Sequence, residues 1–148
     1  MNDNNQLYSE ELSVDLETLT GDRPLRVKRT VQGHTVLVEA CGEVDLVTAL
    51  MLEEQLEYAE AIVVPPAPVV VDLSRVAFLG ARGLGTLVHH HHRCRSLGST
   101  LRIVAQQPEV LRPIHVTGLD TTLCVVPNVH DAQHQRTHNP PQNHISST

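Results

Sequence analysis

Apolar side chains recur along this chain with two distinct periods. Val27, Arg29 and Val31 alternate with Arg26, Lys28 and Thr30, Gln32-Gly33 supplies a two-residue turn, and a β-branched run resumes from His34 to Cys41. That pattern predicts a β-hairpin. Gly42, Glu43, Val44 and Asp45 break the strand, and from about Val47 to Ala61 the period lengthens. Ala49, Leu52, Leu56 and Ala59 follow three-and-four spacing while Glu53, Glu54, Glu57 and Glu60 fall on other faces. The spacing predicts a helix with one core-facing stripe, a solvated acidic side, and Asp45 or Thr48 as N-cap.

After the proline-rich loop at 64–68, Val69 to Leu73 is a short continuous apolar run, the mark of a strand covered on both faces. The segment from Phe78 to Gly85 joins it to a second helix, whose inward face is expected to carry Leu84, Leu87, Val88 and His91. Gly98 ends that helix, Leu101 to Ala105 reads as a strand, and Pro108 opens a third helix at its first turn. Pro113 is expected to kink or shorten it. Thr117 to Asp120 is a turn and Leu123 to Val126 a last strand. The order β-β-α-β-α-β-α-β implies an α/β domain with right-handed crossovers and a central mixed sheet against which helices pack. Residues 1–24 read as an N-terminal extension ending at Gly21-Asp22-Arg23-Pro24, residues 25–126 as the domain, and residues 127–148, polar and with three prolines, as a disordered tail.

Composition narrows the function classes. The 148 residues carry 11 Lys and Arg against 17 Asp and Glu, a formal charge of −6, which argues against a nucleic-acid-binding surface. Tyr8, Tyr58 and Phe78 are the only aromatic residues besides histidine, so base-stacking platforms are nearly excluded. No window reaches the roughly 20 apolar residues that cross a bilayer, and the N-terminus lacks signal-peptide order, so a cytoplasmic protein is expected. Cys41, Cys94 and Cys124 have no CxxC spacing and read as reduced, mostly buried thiols.

Three blocks stand in fixed order: GEVDL at 42–46, VVVDLSRVAFLGARGLGTLV at 69–88, and LRIVAQQPEVLRPIHVTGLDTTLCVV at 101–126. Together they resemble the STAS domain, the family of bacterial anti-sigma-factor antagonists and of the cytosolic domains of sulfate transporters. Without a membrane segment, the free-standing antagonist branch is the nearer match. The resemblance implies a non-catalytic module that binds an anti-sigma factor, usually a small kinase-like protein of the histidine-kinase ATPase fold, and so controls sigma-factor-dependent transcription. It implies a docking surface on Phe78, Gly80, Ala81, Arg82, Gly83, Leu84, Gly85 and Thr86, together with Gly42, Glu43 and Asp45. No cofactor and no metal are implied.

The family's switch is a phosphorylatable serine in a D-S-[ST]-G-L-G pattern at the start of the second helix. Aligned on Gly83-Leu84-Gly85, this chain has Gly80 at the Asp, Ala81 at the first Ser and Arg82 at the phosphoacceptor. Arg82 is thus a degenerate phosphosite, holding +1 where the family toggles between about 0 and −2. Three readings of it stand: a permanent "on" residue that pairs with a partner's carboxylate or phosphate, a clash that ends kinase binding, and a solvated cation at the positive end of a helix dipole.

Other residues carry weaker signals. Successive residues of the His89-His90-His91-His92 run point about 100° apart on a helix and do not converge on one ion, so a solvated face with one packed imidazole is expected. His130, His134 and His138 would line one side of a helix, but the composition argues against a stable one. Ser74 and Thr86 read as structural, and Asp45 and Asp72 as turn and strand-end residues, with no nucleophile or base beside them. Gly80, Gly83 and Gly85 lack the lysine and hydroxyl of a phosphate loop. A second reading, from another class, is a STAS scaffold repurposed to sense a small ligand or a metal through the histidine run.

Overall fold

The computed structural model of the chain describes residues 25–134, so the extension expected over 1–24 and the tail beyond residue 134 lie outside the described residues. Five strands form one sheet in chain order: β1 (Arg26–Gln32), β2 (Thr35–Val44), β3 (Val69–Leu79), β4 (Leu101–Val104) and β5 (Cys124–Val126). β1 and β2 are antiparallel, and every later neighbour is parallel. Helices α1 (Ala49–Ile62), α2 (Ala81–Ser96) and α3 (Pro108–Val116) connect the parallel strands, a 3-10 turn (Leu119–Thr121) precedes β5, and α4 (Val129–His134) follows it. The mixed α/β architecture is the expected one, with α4 added.

Alternation along the strands explains why β3 reads as an uninterrupted apolar run. Val69, Val71 and Leu73 enter the main core beneath α1, α2 and α3, where they meet Leu52, Leu56, Leu87 and Ile114. Val70 points to the opposite face and joins Leu37, Val104, Val126 and Ala132 in a second, smaller cluster. Each face demands its own apolar set, so both parities are apolar.

Several boundaries differ from expectation. The hairpin turn is Gly33-His34, one residue later than predicted, with Gly33 in the left-handed region at φ 64°. Gly42 does not end β2. The strand passes through an irregularity between Gly42 and Glu43, where φ is 127° at Gly42, and continues to Val44; only glycine takes that backbone angle at little cost. β3 likewise runs on to Leu79, through what reads as loop from Phe78. α1 begins at Ala49 and α2 at Ala81, so Arg82, Gly83, Leu84 and Gly85 lie in the first turns of a helix. α3 starts on Pro108 and runs through Pro113 to end at Val116, a short helix of nine residues.

Two side chains reverse their expected faces. His90, not His91, is the fully buried imidazole of α2, following Leu84 and Leu87 on the inward face and preceding Cys94. Glu60, expected on the solvated side of α1, is buried. It accepts hydrogen bonds from His90 Nδ1–H and, at 2.9 Å, from Arg93 Nε. The carboxylate has a partner on each oxygen, which is what permits its burial. Glu60 stands four residues after Leu56 and eight after Leu52, at the margin of the core-facing stripe of α1, and the groups that satisfy it lie about thirty residues on, in α2. None of the three cysteines forms a disulfide, and burial pushes the Cys94 thiol up to about 12.

The tail expected from Pro127 does not begin there. Val129 to His134 form α4, whose Ala132 is buried, and its carbonyl accepts a 2.7 Å hydrogen bond from Arg102. Arg102 lies on the second face of β4 and is almost wholly buried. His130 and His134 stack on one side of α4, against the expectation that no helix forms, while His138 lies outside the described residues.

Candidate protein-docking site

The parallel strands β2 and β3 end side by side. Val44 pairs with Leu79 in register, and the Gly80 amide donates to the Val44 carbonyl at 2.9 Å. Two segments therefore emerge together at this end of the sheet: the turn 45–48 that leads into α1, and the start of α2.

The turn is built by Asp45 and Thr48. Asp45 Oδ1 accepts from the amides of Val47 (2.9 Å) and Thr48 (2.8 Å), while the Thr48 hydroxyl donates to the Glu43 carbonyl at 2.7 Å and accepts from the Asp45 amide at 2.9 Å. The Thr48 amide holds the Asp45 carboxyl below the usual aspartate range; burial opposes it, and the Thr48 hydroxyl and the Val47 amide add to the lowering. Asp45 thus fixes the entry to α1, and Thr48 occupies the N-cap position without capping through its side chain. This arrangement lifts Leu46, Val47 and Leu50 out of the core, at 69%, 69% and 56% exposed.

At the start of α2, Gly80 is the N-cap and no acidic residue lies in the first turn. Gly83 sits against the end of β2, where a Cβ would come within 2.6 Å of Val44 Cγ1 and 2.7 Å of Leu79 Cδ1. The absence of a side chain lets α2 press onto the strand ends, and this sets which residues face outward. Ala81, Arg82 and Gly85 are exposed, as is Phe78 at 48%, whose ring edge lies beside Gly80.

The predicted surface therefore divides. Phe78, Ala81, Arg82 and Gly85 are presented to solvent, and Gly42, Glu43, Asp45 and Gly80 are half-buried. Gly83, Leu84 and Thr86 face inward and cannot meet a partner directly. Thr86 is the only hydroxyl between residues 78 and 86, and it donates to the Arg82 carbonyl at 3.1 Å within the helix. Leu46, Val47 and Leu50 escaped the sequence reading as surface residues, although they stand off the Ala49-Leu52-Leu56-Ala59 stripe. That offset was their signal. The exposed residues of the two adjoining segments are thus apolar side chains and one guanidinium, the latter at the end of the α2 dipole that favours negative charge. Phe, Leu and Arg in this arrangement suit a protein interface, since aromatic and arginine anchors carry most binding energy there.

Glu53, Glu57 and His90 bring potential ligand atoms together on the α1–α2 side, while no described helix is long and apolar enough to cross a membrane.

Comparisons with known proteins agree with this architecture. The STAS domain family matches residues 26–132. The chain is 35% identical over 113 residues to anti-sigma-F factor antagonist RsfB of Mycobacterium tuberculosis, covering 74% of this chain and 88% of that protein. It is 32% identical over 108 residues to anti-sigma-F factor antagonist RsfA of the same species, covering 72% and 84%. The crystal structure of an anti-sigma factor antagonist from Mycobacterium paratuberculosis superposes with a TM-score of 0.68 at 34% identity, covering 76% of this chain and 93% of that one. The unphosphorylated anti-sigma factor antagonist SpoIIAA shares the fold, with a TM-score of 0.59 at 16% identity, over 72% of this chain and 91% of its own. By sequence and by fold, the chain belongs to the STAS domain family.

Proposed function

We propose that this protein is an anti-sigma factor antagonist that binds a kinase-like anti-sigma factor through the rim of Phe78, Arg82, Leu46, Val47 and Leu50, without a serine phosphorylation switch. The role is regulatory and non-catalytic, and it places the protein in the cytoplasm beside its partner. The names of the relatives support the partner class. One observation carries the absence of the switch: Arg82 stands exposed at the second position of α2, and the only hydroxyl between residues 78 and 86, on Thr86, is buried and hydrogen-bonded within the helix. A kinase finds no acceptor on that turn. A guanidinium keeps its charge at any working pH, so affinity at this point of the rim is fixed by sequence.

The test is titration calorimetry of the full chain against purified anti-sigma factors of the histidine-kinase ATPase fold from the same genome, with and without ATP. The expected result is a one-to-one complex that ATP does not dissolve over time, with no phosphate on the chain by mass spectrometry. Arg82→Ser is expected to restore ATP-dependent release. Phosphate on any Ser or Thr of the native chain, accompanied by loss of the complex, would overturn the unswitched reading. Failure to bind any such factor would overturn the antagonist reading.

A further inference from the structure

The His90–Glu60 pair leaves one atom unexplained. Glu60 takes the Nδ1–H, and Nε2 of the same fully buried ring has no hydrogen-bond partner among the described residues. An imidazole nitrogen stripped of water and left without a partner is costly, and such atoms call for an explanation. Beside it on α1, Glu53 and Glu57 stand one helical turn apart, and one potential ligand atom from each of Glu53, Glu57 and His90 falls within 4.8 Å of the others. Because Glu60 already holds Nδ1, the nitrogen available to that group is Nε2.

We propose that Glu53, Glu57 and His90 form a binding site for a divalent transition-metal ion, with Zn²⁺ the best fit, between α1 and α2. Three arguments support the assignment. The donor set is one neutral imidazole and two carboxylates with room for water, a combination suited to Zn²⁺ and its neighbours in the first transition row. Glu60 supplies what metal-bound histidines commonly have behind them: a carboxylate that accepts the Nδ1–H and fixes the tautomer, so that Nε2 is the lone-pair nitrogen. Finally, the spacing can contract. Tetrahedral ligands about 2.0–2.2 Å from Zn²⁺ stand about 3.3–3.6 Å apart, and Glu53 and Glu57, half-buried and exposed, have the side-chain freedom to close onto a fixed His90. The site uses one member of the histidine run; exposed His89 and His92 lie outside it. An ion here would tie α1 to α2, the two helices whose N-termini carry the docking rim.

The experiment is Zn²⁺ titration of the full chain by calorimetry, repeated on Glu53→Gln/Glu57→Gln and on His89→Ala/His92→Ala. Both pairs change side chains outside the main core, so both variants retain the fold, which circular dichroism checks. The expected result is one tight equivalent in the native chain and in the histidine pair, and loss of roughly 100-fold or more in affinity in the glutamine pair, beyond the 10–100-fold typical of losing an outer-shell group. Co²⁺ substitution is expected to give visible d–d absorption that the glutamine pair abolishes. Unchanged affinity in the glutamine pair, loss of binding in the histidine pair, or weak multi-site binding alone would each overturn the site and assign the zinc to surface histidines.

Discussion

Gly83 and Val44 are in contact because Gly83 has no side chain: a Cβ there would stand 2.6 Å from Val44 Cγ1, closer than real carbon atoms approach. Gly85, two residues on, has nothing among the described residues within 4 Å of its would-be Cβ. The two glycines of one motif therefore answer to different constraints. Gly83→Ala is expected to destabilise the fold by about 1–3 kcal/mol through overpacking. Gly85→Ala, in an open helical position, is expected to stabilise it by about 0.5–1 kcal/mol. Urea denaturation of the two variants checks the opposite signs.

Phe78 is half exposed and Arg82 exposed, so changing either leaves the fold intact while altering the rim. Phe78→Ala is expected to weaken the anti-sigma factor complex by about 2 kcal/mol or more, chiefly through faster dissociation. Arg82→Glu is expected to slow association and change its salt dependence, with affinity down about tenfold, or 1.4 kcal/mol. Surface plasmon resonance at two ionic strengths separates these effects.

Asp45 gives a pH signature. Its carboxyl is held below the ordinary value of about 3.9, chiefly by the Thr48 amide, so the folded state binds that proton less readily than the unfolded chain. The resulting stability is fully present above the unfolded value and is lost as pH falls through the folded one. Asp45→Asn keeps a capping oxygen but loses the charge. The native chain is expected to be more stable than the variant at neutral pH, with the gap closing in acid, as read from urea midpoints across the pH series.

Glu60 is held by His90 on one oxygen and Arg93 on the other. Glu60→Ala removes both contacts and leaves the buried imidazole without either ring partner, a loss of about 3–5 kcal/mol when a buried pair is broken. Glu60→Gln keeps an acceptor and is expected to lose less. Thermal unfolding orders the variants native, Gln, Ala.

The order of strands and helices was legible because each buried face imposes its own period, as in Val69-Val70-Val71, where both parities are apolar. What was illegible depended on distant partners. Glu60 stands at the margin of the apolar stripe of α1, but a charge there reads as solvated until His90 and Arg93 are placed beside it. His90 and His91 are adjacent, and a shift of helix register by one residue exchanges which is inside. Gly42 looks like a strand breaker because composition does not reveal a bulge. In the candidate site, the loop and Arg82 could be read from the spacing of the motif. The inward turn of Thr86 and the outward turn of Leu46, Val47 and Leu50 required the packing of Gly83 and the Asp45–Thr48 turn.

The hydrogen bond from Arg102 to the Ala132 carbonyl has a consequence for how far the folded domain reaches past its last strand. Three helices roof one side of the sheet, whereas on the other, among the described residues, α4 shelters Leu37, Val70, Val104 and Val126. A chain cut after Val126 would keep every strand yet uncover this aliphatic floor and strand a guanidinium among hydrocarbons. Such a shortened molecule would be prone to self-association through its bared underside, so the six polar-looking residues of α4 serve as the keel of the domain.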